Sequence, residues 1–156
     1  MKDSAGQVRG LKDFAGKVVV VFFGYTQCPD VCPVTMTELV QVKKLLNAKK
    51  AGLGDKLQAV FISVDPQRDT PQVLQAYLGN FDPVFVALRP TLDQLAEVTR
   101  HFRVYSKKVA GPTPESYSVD HSTGSYVFDP QGRVRLYSRY GSGAQGLADD
   151  IALLLR

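Results

Sequence analysis

Both cysteines of the protein lie in one short segment, and their type and spacing indicate chemistry most directly. Cys28 and Cys32 are separated by three residues. The apolar run 18–23 before them predicts a buried strand, and the amphipathic run 34–46 after them predicts a helix. At such a turn, unpaired N–H groups and the positive end of the helix dipole favour a thiolate. Two thiolates this close can form a disulfide or bind one soft metal ion.

The start of that helix decides where each thiol is placed. Pro33 suits the first helical position, where its missing N–H costs nothing, so we expect Cys32 at or beside the N-cap and Cys28 in the loop before it. Asp30 could serve only to cap the helix. From spacing and context alone, an inert buried pair or a structural disulfide stays open, although a disulfide across so short a loop would stabilise little.

Three further polar residues are candidates for the same site. His121 follows Asp120 in the approach to a hairpin, and from its position it is either a ligand or merely hydrogen-bonded. Asp65 ends the second apolar strand, where it either caps the strand before Pro66 or holds the cysteine loop or an imidazole by a hydrogen bond. His101, at the end of a helix, is interpreted as a surface residue near the helix dipole.

Length and composition indicate one ordinary globular domain over residues 1–156. Hydrophobic residues make up 44% and charged residues 22%, so neither a metal nor a disulfide is needed for folding. The net charge is +4 and the basic residues are scattered, which is not typical of nucleic-acid binding. The sequence has no apolar segment long enough to cross a membrane. A removed signal or anchor would not be visible.

The order of the remaining patterns predicts the fold class. Apolar strands are expected at 57–64 and 84–88, helices from Thr70-Pro71 and from the Thr91–Gln94 capping box to Phe102, and a closing helix at 147–155. Segment 105–117 is a loop or a long hairpin arm, and the turn 129–132 joins two hairpin strands. These elements describe a thioredoxin-like α/β fold: a central, mostly parallel sheet ending in an antiparallel hairpin, with helices on both faces.

Several segments strongly resemble the Sco/SenC family, whose members are membrane-anchored, thioredoxin-fold copper proteins that assist assembly of the binuclear copper site in cytochrome c oxidase. In chain order the matching segments are 20–33 (VVFFGYTQCPDVCP), 61–71 (FISVDPQRDTP), 102–105 (FRVY) and 117–122 (YSVDHS), followed by the turn 129–132 (DPQG). The resemblance covers the chain from about Leu11 onward. Four motifs in this order are far more specific than a lone pair of cysteines with three residues between them.

The resemblance implies that Cys28, Cys32 and His121 bind one copper ion. The donor set suits this metal, because sulfur favours Cu(I) and an added imidazole makes Cu(II) tolerable, whereas a structural zinc site needs a fourth ligand. Gln27 stands where the family often has histidine, but that position is not a copper ligand in the family.

Three functions remain open at this point. The chain is either a copper metallochaperone, or a thiol–disulfide reductase acting on the copper-ligand cysteines of the oxidase subunit, or a copper or redox sensor. A peroxidase fits less well. The resemblance implies partners among the copper-site subunit of the oxidase, other copper chaperones and thioredoxin-like reductants. It also implies an N-terminal anchor, here removed, in the inner membrane, with the domain facing the periplasm or an equivalent compartment.

Overall fold

The computed structural model describes residues 1–27 and 31–156, apart from the side chains of Val31, Cys32 and Asp120. The cysteine Cys28 and the candidate cap Asp30 therefore lie outside the described residues. The α-helices of the described chain are α1 (Val31–Lys49), α2 (Pro71–Gly79), α3 (Leu92–Phe102) and α4 (Ala144–Leu154). The strands of the described chain are β1 (Lys2–Asp3), β2 (Val18–Gly24), β3 (Leu57–Ser63), β4 (Val86–Arg89), β5 (Ser106–Val109), β6 (Ser118–His121), β7 (Ser125–Phe128) and β8 (Val134–Ser138).

Six of these strands form one sheet in the order β1-β4-β3-β2-β7-β8. The three central strands β4, β3 and β2 run parallel, and the hairpin β7–β8 joins them antiparallel to β2. The sequence therefore predicted the α/β class, the parallel centre and the terminal hairpin correctly. The short strand β1 adds an antiparallel edge beside β4 that no sequence pattern indicated.

Almost wholly apolar runs form the two innermost strands because both of their faces are covered. All seven residues of β2 and all seven of β3 are buried, as is usual for central parallel strands. The rings of Phe22 and Phe61 meet edge to face with centroids 5.4 Å apart. The register pairs Gly24 with Ser63, so both strands end at the same edge of the sheet. Side chains that follow these two strands are thereby placed close together.

Helix α1 begins two residues earlier than Pro33 predicts. Its first residue is Val31, so Cys32 belongs to the first helical turn and not to the N-cap region. Proline is accepted at the third helical position because the N–H groups of the first turn have no intrahelical partner to lose. Cys32 therefore lies within the turn in which the helix dipole has its effect.

The caps of α2 and α3 are confirmed. Thr70 accepts a hydrogen bond from the Val73 amide, and Thr91 with Gln94 forms the reciprocal capping box. The apolar spacing of α3 predicts a buried face made by Leu92, Leu95, Ala96, Thr99 and Phe102. This prediction is partly wrong, since Leu92 is 61% exposed and Ala96 is also exposed. The residues that pack are Leu95, Val98, Thr99 and Phe102, all half-buried. This stripe is rotated away from Leu92 and Ala96 around the helix, which leaves that side in water.

The segment 105–117 belongs to a hairpin arm rather than to a loop alone. Strands β5 and β6 pair antiparallel in a separate two-stranded sheet, with Ser106 opposite His121. This arm carries His121 at the carboxyl end of β6. No helix in the described part of the chain is long and apolar enough to cross a membrane.

Candidate metal centre

The segment that leads into Cys28 is anchored by a buried carboxylate. Asp69 is fully buried, and its two oxygens accept hydrogen bonds from the Thr26 amide at 3.2 and 3.3 Å. They also accept hydrogen bonds from the Thr26 and Ser63 hydroxyl groups, each at 2.6 Å. Thr26 lies two residues before Cys28. Asp69 thus ties the end of β2 to the turn that follows β3.

Burial raises the pKa of the Asp69 carboxyl above its usual value, because desolvation penalises the charged form. The donors from Ser63 and Thr26 act in the opposite direction without cancelling that effect.

Asp65 follows the same strand and contacts a different partner. Its side chain is 4% exposed and forms a close ion pair with Arg68 Nε. It also accepts a hydrogen bond from the Tyr117 hydroxyl at 2.5 Å. Burial, followed by this hydrogen bond to Asp65, raises the pKa of Tyr117 to about 12, so the hydroxyl remains a donor at neutral pH. Asp65 reaches the segment before Cys28 through Arg68, whose Nη1 donates to Gln27 Oε1 at 3.1 Å.

His121 ends β6 with its ring half-buried. Its Nδ1 lies 2.8 Å from the Ser122 carbonyl oxygen, which favours the tautomer with the proton on Nδ1 and the lone pair on Nε2. The ring packs edge-on against Tyr25, with centroids 5.9 Å apart. Tyr25 lies three residues before Cys28, and its hydroxyl accepts the Val119 amide of β6 at 3.2 Å. The structure therefore brings His121 against the segment that enters the cysteine loop.

The complete ligand set stays a prediction. Cys28 and the side chain of Cys32 lie outside the description, and among the described residues no group of three or more histidine, cysteine or acidic side chains is arranged to hold a metal. His101 is exposed beside Phe102 near the end of α3, as predicted for a surface residue.

Comparison with known proteins decides the family, because a model of the family described as SCO1/SenC matches residues 1–156. The chain belongs to this family. The bovine mitochondrial protein named SCO2 homolog is 39% identical over 96% of the chain. The chain spans 55% of that protein's length.

Solved SCO1/SenC structures support the same assignment. Bradyrhizobium japonicum ScoI, solved with copper bound, is 36% identical, has a TM-score of 0.86, and is matched over 99% of this chain and 95% of its own. BsSco, a member of the Sco family of cytochrome c oxidase assembly proteins in which a disulfide switch was identified, is 20% identical. It has a TM-score of 0.72 over 99% of this chain and 89% of its own, which shows the shared fold alone.

Sequence reasoning missed the parts played by Arg68, Asp69 and Tyr117. Sequence context alone predicts only core or rim packing for Tyr117, yet its hydroxyl donates to Asp65. A signal for the other two was present, because three charged residues follow an almost wholly apolar strand within five positions, at 65, 68 and 69. Charged side chains that close to the end of a buried strand need partners, and the neighbouring strand end is the nearest place to find them.

The raised pKa of Asp69 leads to a testable pH dependence. The folded chain keeps this proton over a pH range in which the unfolded chain has released it. The free energy of unfolding of the wild type should therefore fall, relative to that of Asp69→Asn, as pH rises from the ordinary value of 3.8 through the folded pKa. Urea unfolding of both proteins between about pH 3 and about pH 7 measures this difference.

Asp55→Asn, at an exposed aspartate, controls for the change in charge. A wild-type advantage over Asp69→Asn that stays flat or grows as pH rises would contradict the account of Asp69.

Proposed function

We propose that this chain binds one copper ion through Cys28, Cys32 and His121 and assists assembly of the binuclear copper site of cytochrome c oxidase. The observation that carries the proposal is the packing of His121 against Tyr25, three residues before Cys28. The copper-bound state of the relative from Bradyrhizobium japonicum supports the choice of metal.

The chain's residues suit a copper ion that is held and then passed on. Two thiolates provide the soft ligands that Cu(I) prefers, and an imidazole nitrogen extends the site to Cu(II). With three protein ligands, one position remains for a ligand from the receiving protein, which is what transfer requires. The Ser122 carbonyl favours a proton on Nδ1 of His121, and Nε2 is then the nitrogen that we propose binds the metal.

A second candidate is thiol–disulfide exchange with a copper-ligand cysteine pair of the oxidase subunit. Placement of Cys32 in the first turn of α1 favours this chemistry, because the helix dipole stabilises a thiolate there. One thiolate attacks the partner disulfide, the second resolves the mixed disulfide, and two electrons pass to the partner as Cys28 and Cys32 become oxidised. A copper or redox sensor would use the same groups without delivery.

The partners and the compartment follow from the family resemblance. The proposed acceptor is the copper-site subunit of the oxidase, and other copper chaperones or thioredoxin-like reductants are the proposed sources of copper and electrons. We place the domain on the periplasmic side of the inner membrane, or its equivalent, attached by an anchor.

Replacing His121 separates copper handling from thiol exchange. In His121→Ala we expect Cu(II) affinity to fall by about 10- to 100-fold and the thiolate-to-Cu(II) absorption band to disappear. Cu(I) binding should persist more weakly, since both thiols remain, and disulfide formation should still occur. Anaerobic titration followed by absorption spectroscopy measures both metals, and the exposed His101→Ala is the matched control. An unchanged Cu(II) spectrum in His121→Ala would remove His121 from the ligand set.

His121→Ala and Cys28→Ser together distinguish the functions in cells. If oxidase assembly fails with His121→Ala, copper handling is required. If assembly proceeds with His121→Ala but fails with Cys28→Ser, thiol exchange is the function.

Oxidation of the cysteines should abolish copper binding. A disulfide between Cys28 and Cys32 leaves no thiolate to donate, so the oxidised protein should bind no copper while the reduced protein binds one per chain. Thiol counting with metal analysis after desalting provides the measurement. Equal copper retention by the fully oxidised protein, or by Cys28→Ser/Cys32→Ser, would refute the ligand assignment.

A further inference from the structure

Arg68 contacts both sides of the proposed copper site with one nitrogen atom. Its Nη1 donates to Gln27 Oε1 and to the Glu115 carbonyl oxygen, each at 3.1 Å. Gln27 directly precedes Cys28, and Glu115 lies in the link between β5 and β6, the strand that ends at His121. A single donor therefore joins the cysteine segment to the arm that carries the histidine.

The same guanidinium lies between two tyrosine rings that belong to these two sides. Its central carbon is 3.6 Å from the ring centroid of Tyr117 in the arm and 5.7 Å from that of Tyr25 before the cysteines. Tyr25 in turn packs against the His121 ring. Stacking on the Tyr117 ring, with a longer cation–π contact to the Tyr25 ring, adds to the hydrogen bonds in restricting the separation of the two sides.

Asp65 holds the orientation of the Arg68 guanidinium through its Nε atom. One carboxylate oxygen of Asp65 pairs with Nε, and the other accepts a hydrogen bond from the Tyr117 hydroxyl. This arrangement carries a cost, because the Arg68 side chain is only 13% exposed and its buried Nη2 makes no hydrogen bond within the described residues. A buried donor left in this way calls for an explanation beyond local packing.

We propose that Arg68 is a positioning residue that sets the separation between the segment 25–27, which leads into the cysteines, and the β5–β6 arm that carries His121. Its consequence for copper rests on the proposed function, whereas its consequence for the arm does not. The proposal also assigns a role to Gln27, whose side-chain oxygen is the acceptor on the cysteine side. Lysine cannot replace this arginine, because one ammonium group lacks the planar set of donors that reaches Asp65, Gln27 and Glu115 together.

The test compares Arg68→Lys with Arg89→Lys. The first variant keeps a positive charge beside Asp65 but loses the planar donors. The second alters another half-buried arginine near the same turn, which donates through Nε to the Pro66 carbonyl oxygen at 2.9 Å and contacts neither side of the site in the described structure. Any general effect of replacing a partly buried arginine appears in both variants.

The first readout uses the metal-free, reduced protein. Amide hydrogen exchange should show loss of protection in β6, including Val119, in Arg68→Lys but not in Arg89→Lys. Equal protection of β6 in wild type and Arg68→Lys, or an equal loss in both variants, would overturn the proposal. Because no copper is involved, this result stands even if the chain proves not to bind the metal.

The second readout uses the copper-loaded protein. Arg68→Lys should weaken Cu(II) binding by about 10- to 100-fold, with a shifted thiolate-to-Cu(II) band, while Cu(I) affinity changes much less because two thiolates can hold Cu(I) without His121. Equal losses for both oxidation states, or no loss for either, would overturn the proposal. Absence of copper from the wild type itself would refute the proposed function and leave the exchange result to decide the positioning role.

A second variant keeps the test decisive if Arg68→Lys does not fold. Gln27 is exposed, and Gln27→Met removes only its side-chain oxygen as an acceptor for Arg68. The Asp65–Arg68 ion pair stays in place. The variant should change Cu(II) affinity and the exchange of the Val119 amide in the same direction as Arg68→Lys, but less. No change in either measurement would overturn the proposal.

Discussion

A buried ion pair between Asp65 and Arg68 is the interaction on which the proposed arrangement of the copper site depends. Two charges removed from water are costly, and such a pair persists only when further hydrogen bonds and good geometry offset the desolvation. Here Asp65 also accepts a hydrogen bond from the Tyr117 hydroxyl. Arg68 also donates hydrogen bonds to the Gln27 side chain and the Glu115 carbonyl oxygen. Removing either charge would leave the other buried without its partner. The pair therefore links local stability to the placement of the two sides of the site.

The parallel register of β2 and β3 creates the edge at which this network forms. Because Gly24 pairs with Ser63, the residues after the two strands share one end of the sheet. Asp69 then holds Thr26 on one side, while Arg68 extends to the arm on the other. The wholly buried strands supply a rigid base, and the polar residues beyond their ends determine what the edge can bind. The proposed metal site would need little reorganisation on such a base.

Local patterns predicted the elements well and the polar network poorly. The apolar run 18–23 and the capping box at Thr91 depend on neighbours in sequence, and both were confirmed. The start of α1 was misplaced because proline is compatible with more than one position in a first turn. The contacts of Arg68 with Gln27 and Glu115 span 41 and 47 residues, so no local pattern could indicate them. The ligand set itself came from the family resemblance, and the structure adds the contact of His121 with Tyr25.

The proposed copper ligands are tested most directly by X-ray absorption spectroscopy. The protein is loaded with copper while its cysteine thiols are reduced. The fine structure of the wild-type Cu(II) form should require two sulfur ligands together with the multiple-scattering features of one imidazole. The imidazole features should be absent from His121→Ala, while both sulfur ligands remain in its Cu(I) form. A wild-type spectrum that fits without sulfur, or imidazole features that survive the loss of His121, would contradict the account.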